Sequence, residues 1–545
     1  MPSVAQHLID RMNTHGIKHV FTVPGDYILG FVKKLEDSED IDLIGTTDEN
    51  HAGFAADAYA RVNGIGSVCV TYNVGALKIA NAVACAYAER SPLVVISGSP
   101  GIKEREEDML LHHMVRSFGC QKDIFENITC ASTVLDNPNR AGYEIDRVFN
   151  ALHHHKQPIY IELPRDVADK SLAYDVYKQG TPEKPESDQE NLAEALQEVE
   201  DFVGSAKKPV ILAGVQLARY GLGSELVKFA ERNNLPICTT LLSKSVVGEA
   251  HPLYRGLYMG ACSEPKVQEL VEESDCLLMF GALLTDLTLA FRPDRFEKRQ
   301  VVSASVERMK VKNHCFDKVH FSDFCTELFK KEINVSHNWQ PAIRKDKTRP
   351  KFIPKKNERM TTTRLFNKID SILTEDMAIV ADVGDSLFGS ADLHVSHRNN
   401  YLAPAFYTSM GTSIPGALGV QIANPKMRPI VIVGDGAFQM SLSELSTIAQ
   451  RKLNPIVFVL NNSGYTTERH LIDGPFNDIA PWEYHKVTEL IGAGMGSLVE
   501  TEQELEEVVE IALKSDELFV VNVVVDQDDV SPALKRMTKG LSARV

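Results

Sequence analysis

The chain has 545 residues, of which 43% are hydrophobic and 24% are charged, a balance typical of a globular protein with a sizeable core. Domains usually hold about 100 to 200 residues, so this length predicts roughly three of them. The formal net charge of -16 argues against a nucleic-acid partner, because proteins that bind nucleic acids normally present a basic face.

Neither the N-terminus nor any apolar run indicates a membrane or secretory protein. The opening segment MPSVAQHLIDRM is typical of an amphipathic helix, and runs such as PLVVI are far shorter than the ~18 residues of a spanning helix. The nine cysteines form no C-x-x-C pair, which favours buried reduced thiols over a zinc site or a disulfide framework. We therefore expect a cytoplasmic protein with no membrane partner.

Apolar runs alternate with helical patterns over residues 1–180, as they do in a parallel α/β sheet. The predicted strands lie in HVFTVPGD, IDLIGTTDE, SVCVTY, PLVVISGSP and QPIYIELPRD, and NHAGFAADAYAR and GALKIANAVACAYAE are predicted helices. Two histidine runs lie in this region, His112-His113 in LLHHMV and the triple run in LHHHK. Because imidazole titrates near neutral pH, either run could transfer protons or bind a metal.

Polar, proline-bearing stretches divide the rest of the chain. KQGTPEKPESDQEN is a predicted linker, and HNWQPAIRKDKTRPKFIPKKNERM separates a second α/β pattern from a third. The second pattern includes KPVILAG, LPICTT and DCLLMFG, and the third includes AIVADVGD, RPIVIVGDG, NPIVFVLNN and ELFVVNVVVD. The sequence therefore predicts three doubly wound α/β domains, covering residues 1–180, 190–340 and 358–545.

A candidate metal site follows two strands of the third domain. PIVIV runs into Gly434-Asp435-Gly436, and PIVFVL ends at Asn461-Asn462, with Gly464 and Tyr465 just beyond. One βα unit separates the loops, so both should emerge at the carboxyl edge of a parallel sheet, where ligands bind. In isolation GDG would be better read as a tight turn. With the asparagine pair it indicates Mg2+ bound by a carboxylate, an amide oxygen and a carbonyl, beside a phosphate.

With this pair of motifs the sequence resembles the thiamine diphosphate (ThDP) enzymes, over essentially the whole chain. The resemblance implies ThDP and Mg2+ as cofactors, with Asp435, Asn462 and the main-chain oxygen of Gly464 as metal ligands. It implies that the first domain of a partner subunit serves the aminopyrimidine ring of the cofactor, and that the middle domain is a spacer. The cofactor-binding residues implied are Glu49, Gly384, Asp385, Thr408, Met410, Gly434, Asp435, Gly436, Ala437, Asn462, Gly464 and Tyr465.

Some of these residues have specific implied roles. Met410 would be the apolar wedge between the two cofactor rings, although without the resemblance an ordinary core methionine is the better interpretation. The Thr408 carbonyl would accept from the pyrimidine amino group. Glu49, in TTDENHAG, matches the glutamate that drives removal of the thiazolium C2 proton. Its neighbour Asp48 is the alternative, since acidic residues commonly begin helices, but the family pattern favours Glu49.

Narrower markers resemble the subgroup that decarboxylates 2-oxo acids without oxidation, acting on pyruvate, indolepyruvate, phenylpyruvate or branched-chain 2-oxo acids. They are Asp26 in VPGD, the pair His112 and His113, and Glu468 in GYTTERHLIDG. The implied roles are a proton relay of Asp26 with His113, a supporting donor in His112, and a carboxylate at Glu468 that faces the departing CO2. The triple histidine run ends a helical pattern and points in three directions, so we predict no site there.

The expected substrates are aromatic or long and branched aliphatic 2-oxo acids. Leu387 lies where pyruvate-specific relatives often carry a large aromatic side chain, and Thr467, Leu471 and Leu287 are further pocket candidates. For Leu287, packing within a helix is about as good an interpretation. Two departures from common relatives are Ala437, which replaces a small hydroxyl residue, and Tyr72-Asn73, which replaces smaller residues.

Rival functions remain open at this point. One is a carboligase of the acetohydroxyacid synthase type, and another is a catalytically silent ThDP-binding scaffold. A nicotinamide-dependent oxidoreductase is poorly supported, because no G-x-G-x-x-G follows a first strand. The resemblance also implies that Glu49 and the metal ligands act from different subunits. We therefore expect a homodimer at minimum, and a homotetramer as the assembled form.

Overall fold

In the computed structural model of the chain, the described residues are 2–107, 109–172, 186–289, 300–335 and 351–541. They divide into two compact units. The first unit is Met1–Pro185, Gly411–Met427 and Ser441–Leu453, and the second is Glu186–Met410, Arg428–Met440 and Asn454–Val545. Much of both predicted linkers lies outside the described residues, and the boundaries of the three domains stay a prediction.

The first unit contains a six-stranded, wholly parallel sheet with strand order β2-β1-β3-β4-β6-β5. The strands are β1 (His19–Thr22), β2 (Asp42–Gly45), β3 (Gly66–Val70), β4 (Leu93–Ser99), β5 (Ala131–Val134) and β6 (Ile159–Pro164). The helices are Val4–Thr14, Leu29–Glu36, Glu49–Asn63, Ala76–Ala88, Ile102–Glu106, Cys120–Glu126, Ala141–His155, Ser413–Ala423 and Leu445–Gln450, with a 3-10 turn at Leu442–Glu444. The sequence patterns predicted every strand of this sheet except β5, which is short and only partly buried.

The helix Glu49–Asn63 has a clear start and a clear end. Asp48 caps its N-terminus, since its side chain accepts a hydrogen bond from the Asn50 N–H at 2.8 Å. Gly64 ends it in the left-handed conformation, with φ 92°. A Cβ at Gly419 would lie 2.0 Å from the Ala55 carbonyl oxygen, so only glycine lets helix Ser413–Ala423 pack this closely.

The second unit contains two sheets. One has seven strands in the order β13-β12-β11-β10-β7-β8-β9, with antiparallel pairing of β11 with β12 and of β12 with β13 and parallel pairing elsewhere. Its strands are β7 (Pro209–Ala213), β8 (Ile237–Thr240), β9 (Tyr254–Tyr258), β10 (Cys276–Phe280), β11 (Val301–Ala304), β12 (Met309–Val311) and β13 (His314–Phe316). Its helices are Gln189–Ser205, Val215–Arg219, Gly223–Arg232, Pro265–Glu272 and Phe321–Leu328, with a 3-10 turn at Leu241–Ser243.

The other sheet is parallel throughout, with the order β15-β14-β16-β17-β19-β18. Its strands are β14 (Met377–Ala381), β15 (Tyr401–Leu402), β16 (Arg428–Gly434), β17 (Ile456–Asn461), β18 (Met495–Val499) and β19 (Phe519–Val524). Its helices are Thr362–Ile372, Asp385–Ala391, Asp435–Ser441, Thr466–Arg469, Val487–Ile491, Glu502–Lys514 and Pro532–Leu541, with 3-10 turns at Pro475–Asn477 and Tyr484–Lys486. Within the described residues the prediction of three parallel-dominated α/β sheets is confirmed.

Two further predictions concern cysteines and membranes. All nine cysteines are free, and six of them are buried. Within the described ranges, no helix combines the length and the apolar character that a membrane crossing requires.

The triple histidine run ends helix Ala141–His155, as its position in the sequence predicted. His153 Nε2 lies 2.8 Å from His15 Nδ1 at the end of helix Val4–Thr14, and the His15 ring stacks on Phe149 at 4.4 Å. The run is in neither of the two described groups of side chains that could hold a metal ion. His153 therefore joins helix Ala141–His155 to the end of helix Val4–Thr14.

Acidification should weaken the packing of helix Val4–Thr14, which contains His7 and is followed by His15 as its C-cap. Burial lowers the pKa of both His7 and His15 below the ordinary 6.5. As the pH falls through about 6.5, the unfolded chain therefore binds protons before the folded chain does, and stability is lost. We expect the melting temperature to be lower at pH 5.5 than at pH 7.5. His7→Gln or His15→Gln should make the melting temperature depend less on pH. The control is His397→Gln, at an exposed histidine, which should leave the pH dependence unchanged. Equal pH dependence of the melting temperature in all three variants would contradict the prediction.

Candidate active site

A cavity of about 320 Å³ opens at the carboxyl edge of the sheet formed by β14, β16 and β17. The loops that follow these three neighbouring strands supply most of its wall, as expected for a parallel sheet. The lining residues are Asp286, Leu287, Val383, Gly384, Asp385, Ser386, Leu387, Phe388, Phe406, Thr408, Met410, Gly434, Asp435, Gly436, Ala437, Leu460, Asn462, Gly464, Tyr465, Thr466, Thr467, Glu468 and Met537. All of them belong to the second unit.

Asp435 is the buried carboxylate of this cavity, with only 1% of its surface exposed. It begins helix Asp435–Ser441, and its Oδ1 accepts from the Gly436 N–H at 2.8 Å and its Oδ2 from the Gly464 N–H at 3.2 Å. Burial raises the pKa of Asp435 to about 6, against backbone N–H groups that lower it. A cation beside this carboxylate would offset the cost of keeping its charge away from water.

Asn462 lies in the next loop and is also buried. Its Oδ1 atom has no hydrogen-bond partner within the described part of the chain, although buried amide oxygens usually have one. The third predicted ligand, the Gly464 carbonyl oxygen, accepts from the Thr466 N–H at 3.1 Å and keeps a second lone pair. A carboxylate, an orphaned amide oxygen and a carbonyl form a donor set that suits Mg2+.

Glycine is required at two points of this wall. A Cβ at Gly464, whose φ is 150°, would lie 2.1 Å from the Asn477 carbonyl oxygen. A Cβ at Gly436 would lie 2.6 Å from the Tyr465 ring. The loops at Gly436 and Gly464 can therefore pack closely on Tyr465 and Asn477, and they form a cradle at the start of helix Asp435–Ser441. Together with the donor set, this cradle fits a diphosphate bound through a metal.

Residues predicted to hold the cofactor rings also reach the cavity. Thr408 has φ 53°, a left-handed conformation that is rare for a β-branched residue and is often found at functional sites. Met410 lines the wall and is partly buried. Gly384, with φ 76°, precedes helix Asp385–Ala391. Together these residues supply an apolar wedge and two unusual backbone positions.

Asp385, a predicted cofactor-binding residue, is hydrogen-bonded within the protein. It lines the cavity, but both of its carboxylate oxygens are taken, since Oδ2 accepts from the Ser531 N–H at 2.7 Å and Oδ1 from the Ser531 hydroxyl. Burial raises its pKa to about 6, against the hydrogen bonds from Ser531. Asp385 therefore fixes the start of helix Pro532–Leu541, and its side-chain oxygens are already satisfied by the protein.

Most of the predicted substrate-pocket residues line the cavity, but one does not. Leu387, Thr467, Leu287 and the exposed Glu468 line the cavity, but Leu471 is not among its lining residues. Helix Thr466–Arg469 ends before Leu471, whose N–H turns back to donate to the Glu468 carbonyl at 2.9 Å. Leu287 lies in a turn and not in a helix.

Eight lining residues were not among those that the sequence predicted, namely Asp286, Val383, Ser386, Phe388, Phe406, Leu460, Thr466 and Met537. Phe388 adjoins Leu387 in VGDSLFG, so that motif could have indicated it. Met537 comes from the last helix of the chain, and Asp286 from a loop after β10. No local sequence signal connects these two positions to the metal loop.

In the first unit, Glu49 is the first residue of its helix, and its side chain is 13% exposed. Its Oε2 accepts a hydrogen bond from Lys78 Nζ at 3.0 Å, and the same ammonium group lies 2.5 Å from Asp48 Oδ2. Asp48 is the helix cap, which was the alternative that the sequence offered for this pair of acidic residues. Lys78 was not predicted.

Asp26, His112 and His113 form a second group in the same unit. His112 Nε2 lies 2.8 Å from Asp26 Oδ2, and His113 Nε2 lies 3.8 Å from Asp26 Oδ1. Two consecutive residues can face one carboxylate because His113 has a left-handed backbone, with φ 65°. The Asn73 side chain donates to the His113 carbonyl at 2.7 Å, which accounts for one departure noted in the sequence.

Tyr27 and Arg165 surround this group and were missed. The Tyr27 ring stacks on His112 at 4.7 Å, and its hydroxyl lies 3.3 Å from His112 Nδ1. The Arg165 guanidinium lies over the Tyr27 ring at 4.9 Å and 3.9 Å from Asp26, and a hydrogen bond to Glu104 raises its pKa. A charged network therefore supports the histidine pair.

Three family matches cover most of the chain. Residues 2–120 match the N-terminal TPP binding domain of the thiamine pyrophosphate enzymes, residues 196–325 their central domain, and residues 382–523 their C-terminal TPP binding domain. Thiamine pyrophosphate is another name for ThDP. The fold, the cradle and these matches define the class as ThDP enzymes, and the predicted cofactor ThDP is confirmed at this level.

Relatives narrow the class. A probable pyruvate decarboxylase of Schizosaccharomyces pombe is 32% identical over 543 residues, covering 98% of this chain and 94% of the relative. The indole-3-pyruvate decarboxylase of Azospirillum brasilense is 31% identical over 548 residues, covering 98% of each. Pyruvate decarboxylase 1 of Pisum sativum is 31% identical over 556 residues, covering 98% of this chain and 92% of the relative. The chain belongs to the ThDP-dependent 2-oxo-acid decarboxylase family.

Proposed function

We propose that the protein is a carboxy-lyase that converts a 2-oxo acid to an aldehyde and CO2, using ThDP and Mg2+. The observation that carries the proposal is the orphaned Oδ1 of Asn462 beside the buried carboxylate of Asp435, in a cavity that also holds Glu468. Asp435, Asn462 and the Gly464 carbonyl would hold Mg2+, and the N–H groups at the start of helix Asp435–Ser441 would face the diphosphate.

When bound, ThDP supplies the nucleophile that attacks the 2-oxo carbon and the electron sink that accepts the charge left by CO2. The residues of this chain bind, orient and move protons. We propose that Glu49 hydrogen-bonds the pyrimidine ring and that Asp26 with His113 delivers a proton to the substrate carbon. His112 would be a supporting donor and Glu468 would face the departing carboxylate.

These proposed roles imply that the active protein has more than one subunit. Because Glu49 of one subunit would serve the cofactor bound by its partner, the smallest active unit would be a homodimer, and we expect a homotetramer in the cytoplasm. Light scattering under assay conditions tests this. A fully active monomer would contradict the assignment of Glu49.

For the substrate we propose an aromatic or a long or branched aliphatic 2-oxo acid. Leu387, Phe388, Phe406 and Met537 give the cavity an apolar wall, which suits a large apolar side chain on the substrate. The test is kcat/KM across pyruvate, a branched-chain acid, a long-chain acid and phenylpyruvate, with the aldehyde as the measured product. Acetolactate formed from pyruvate, with no free aldehyde, would instead support a carboligase. No product from any of these acids would support a silent scaffold.

Leu387 should control the size of the accepted side chain. Leu387→Trp adds a bulky ring to the cavity wall, so we expect kcat/KM for phenylpyruvate to fall at least about tenfold while that for pyruvate changes by less than about threefold. The matched control is Leu490→Trp, since Leu490 is 80% exposed and does not line the cavity. Equal losses for both substrates in Leu387→Trp would show that the residue does not select side chains.

A further inference from the structure

Lys78 occupies an unusual position for a surface lysine. It lies in the first turn of helix Ala76–Ala88, and its ammonium group bridges Asp48 Oδ2 at 2.5 Å and Glu49 Oε2 at 3.0 Å. The Lys78 side chain is 52% exposed, but that of Glu49 is only 13% exposed. The cation therefore contacts the residue proposed to serve the pyrimidine ring.

The bridge joins the capping residue to its neighbour. Asp48 uses Oδ1 to cap the helix through the Asn50 N–H and Oδ2 to meet Lys78. Hydrogen bonds to Asp48 and Glu49 raise the pKa of Lys78, so its ammonium group stays charged at neutral pH. The start of helix Glu49–Asn63 is thus held by a cap and by a cation at once.

The other ionisable side chains near Glu49, those of His51 and Glu444, pair with each other. His51 Nδ1 lies 3.2 Å from Glu444 Oε2, which also accepts from the Thr47 hydroxyl at 2.7 Å. Within the described residues, Lys78 donates a hydrogen bond to the Glu49 carboxylate, at Oε2. The second oxygen, Oε1, is left for another donor.

We propose that Lys78 is a positioning residue for Glu49, holding Oε2 so that Oε1 faces the pyrimidine ring nitrogen of ThDP. The inference rests on the proposed role of Glu49. Without Lys78 the carboxylate would rotate freely beside Asp48, a like charge, and a misplaced group loses much of its effect on the reacting centre.

The experiment measures two quantities in the complete enzyme with Mg2+. The first is the ThDP dissociation constant, from fluorescence titration. The second is the rate of C2-proton exchange of bound ThDP in D2O, by quench and NMR, which requires no substrate. We expect Lys78→Met to slow exchange about tenfold per bound cofactor, with ThDP affinity changed by less than about threefold. Lys78→Arg should restore exchange to within about threefold of the native rate, because it keeps the cation.

Lys33→Met is the matched control. Lys33 also bridges two carboxylates, Glu36 at 2.9 Å and Asp37 at 2.7 Å, and it makes no contact with Glu49. Its replacement should leave both quantities unchanged. Equal slowing in Lys33→Met and Lys78→Met would overturn the inference.

Glu49→Gln separates this inference from the function on which it rests. Slow exchange in Glu49→Gln together with native exchange in Lys78→Met would overturn the role of Lys78 alone. Native exchange in Glu49→Gln would overturn the proposed role of Glu49 itself. A loss of ThDP affinity or melting temperature in Lys78→Met, with native exchange per bound cofactor, would reduce Lys78 to a structural ion pair and overturn the inference. Lys78→Arg as slow as Lys78→Met would do the same.

Discussion

Asp435→Asn should abolish Mg2+-dependent ThDP binding and lower the rate of decarboxylation at least about a hundredfold. This loss is larger than is usual for residues that only support a metal ligand. Asparagine keeps the size of the side chain and one oxygen, which can accept from either the Gly436 or the Gly464 N–H, while its NH2 group replaces the other acceptor. It removes the negative charge, which at 1% exposure is screened by little solvent. The predicted result is therefore a folded protein with an intact cavity and a weakened metal site.

Isothermal titration of Mg2+ into the protein at fixed ThDP measures the effect directly. Asp478→Asn is the matched control, because Asp478 lies near the same loop, is 61% exposed and pairs with Arg469, and neither of these two residues lines the cavity. We expect Mg2+ affinity in this control to stay within about threefold of the native value, as for most surface ion pairs. Native Mg2+ affinity in Asp435→Asn would remove Asp435 from the metal site and, with it, the main support for the proposed cofactor geometry.

The metal loop could be predicted from the sequence because its parts are close along the chain. Asp435 and Asn462 each follow a buried strand, and one βα unit separates them, so parallel pairing of β16 and β17 alone brings them to one edge. The structure adds that both side chains are buried and face the same cavity, and that the Asn462 oxygen has no described hydrogen-bond partner. Local pattern and sheet topology were sufficient here.

Other features of the site and of the fold depend on contacts that no local sequence pattern predicts. Met537 reaches the cavity from the last helix, whose start is fixed by the hydrogen bonds of Asp385 with Ser531. The antiparallel hairpin β12 and β13 consists of strands of three residues each, too short for a periodic pattern. The left-handed backbone of His113 is unusual for a non-glycine residue and was not visible in LLHHMV.

The left-handed backbone of His113 helps to distinguish the roles of His112 and His113, which the sequence left open. His113 lies in a turn closed by the Met114 N–H, which donates to the Leu111 carbonyl at 3.2 Å, and its left-handed backbone brings both imidazoles to Asp26. His113 is the less exposed of the two, at 30% against 57% for His112. His112 has Tyr27 as a second partner, at 3.3 Å from Nδ1. The geometry therefore favours His113 for proton transfer and His112 for support.

His113→Phe should release CO2 in the first turnover at a rate within about tenfold of native, but release the aldehyde at least about a hundredfold more slowly, as is typical for loss of a general acid. Phenylalanine keeps the ring against Tyr27 and removes both nitrogens. His112→Phe should show a smaller loss in aldehyde release, because Asp26 and His113 remain. Rapid-quench CO2 release and steady-state aldehyde formation, measured on the same preparations, separate the two steps.

His154→Phe is the control, since it removes a histidine of the triple run at the end of helix Ala141–His155 and should change neither rate by more than about twofold. If CO2 release in His113→Phe falls as far as aldehyde release, His113 acts before or during decarboxylation and the proposed order of its work is wrong. If both single variants keep native rates for both products, the histidine pair has no part in the reaction. Asp26 would then have to act through another group. The nearest described cation is Arg165, whose guanidinium lies 3.9 Å from Asp26 Oδ2.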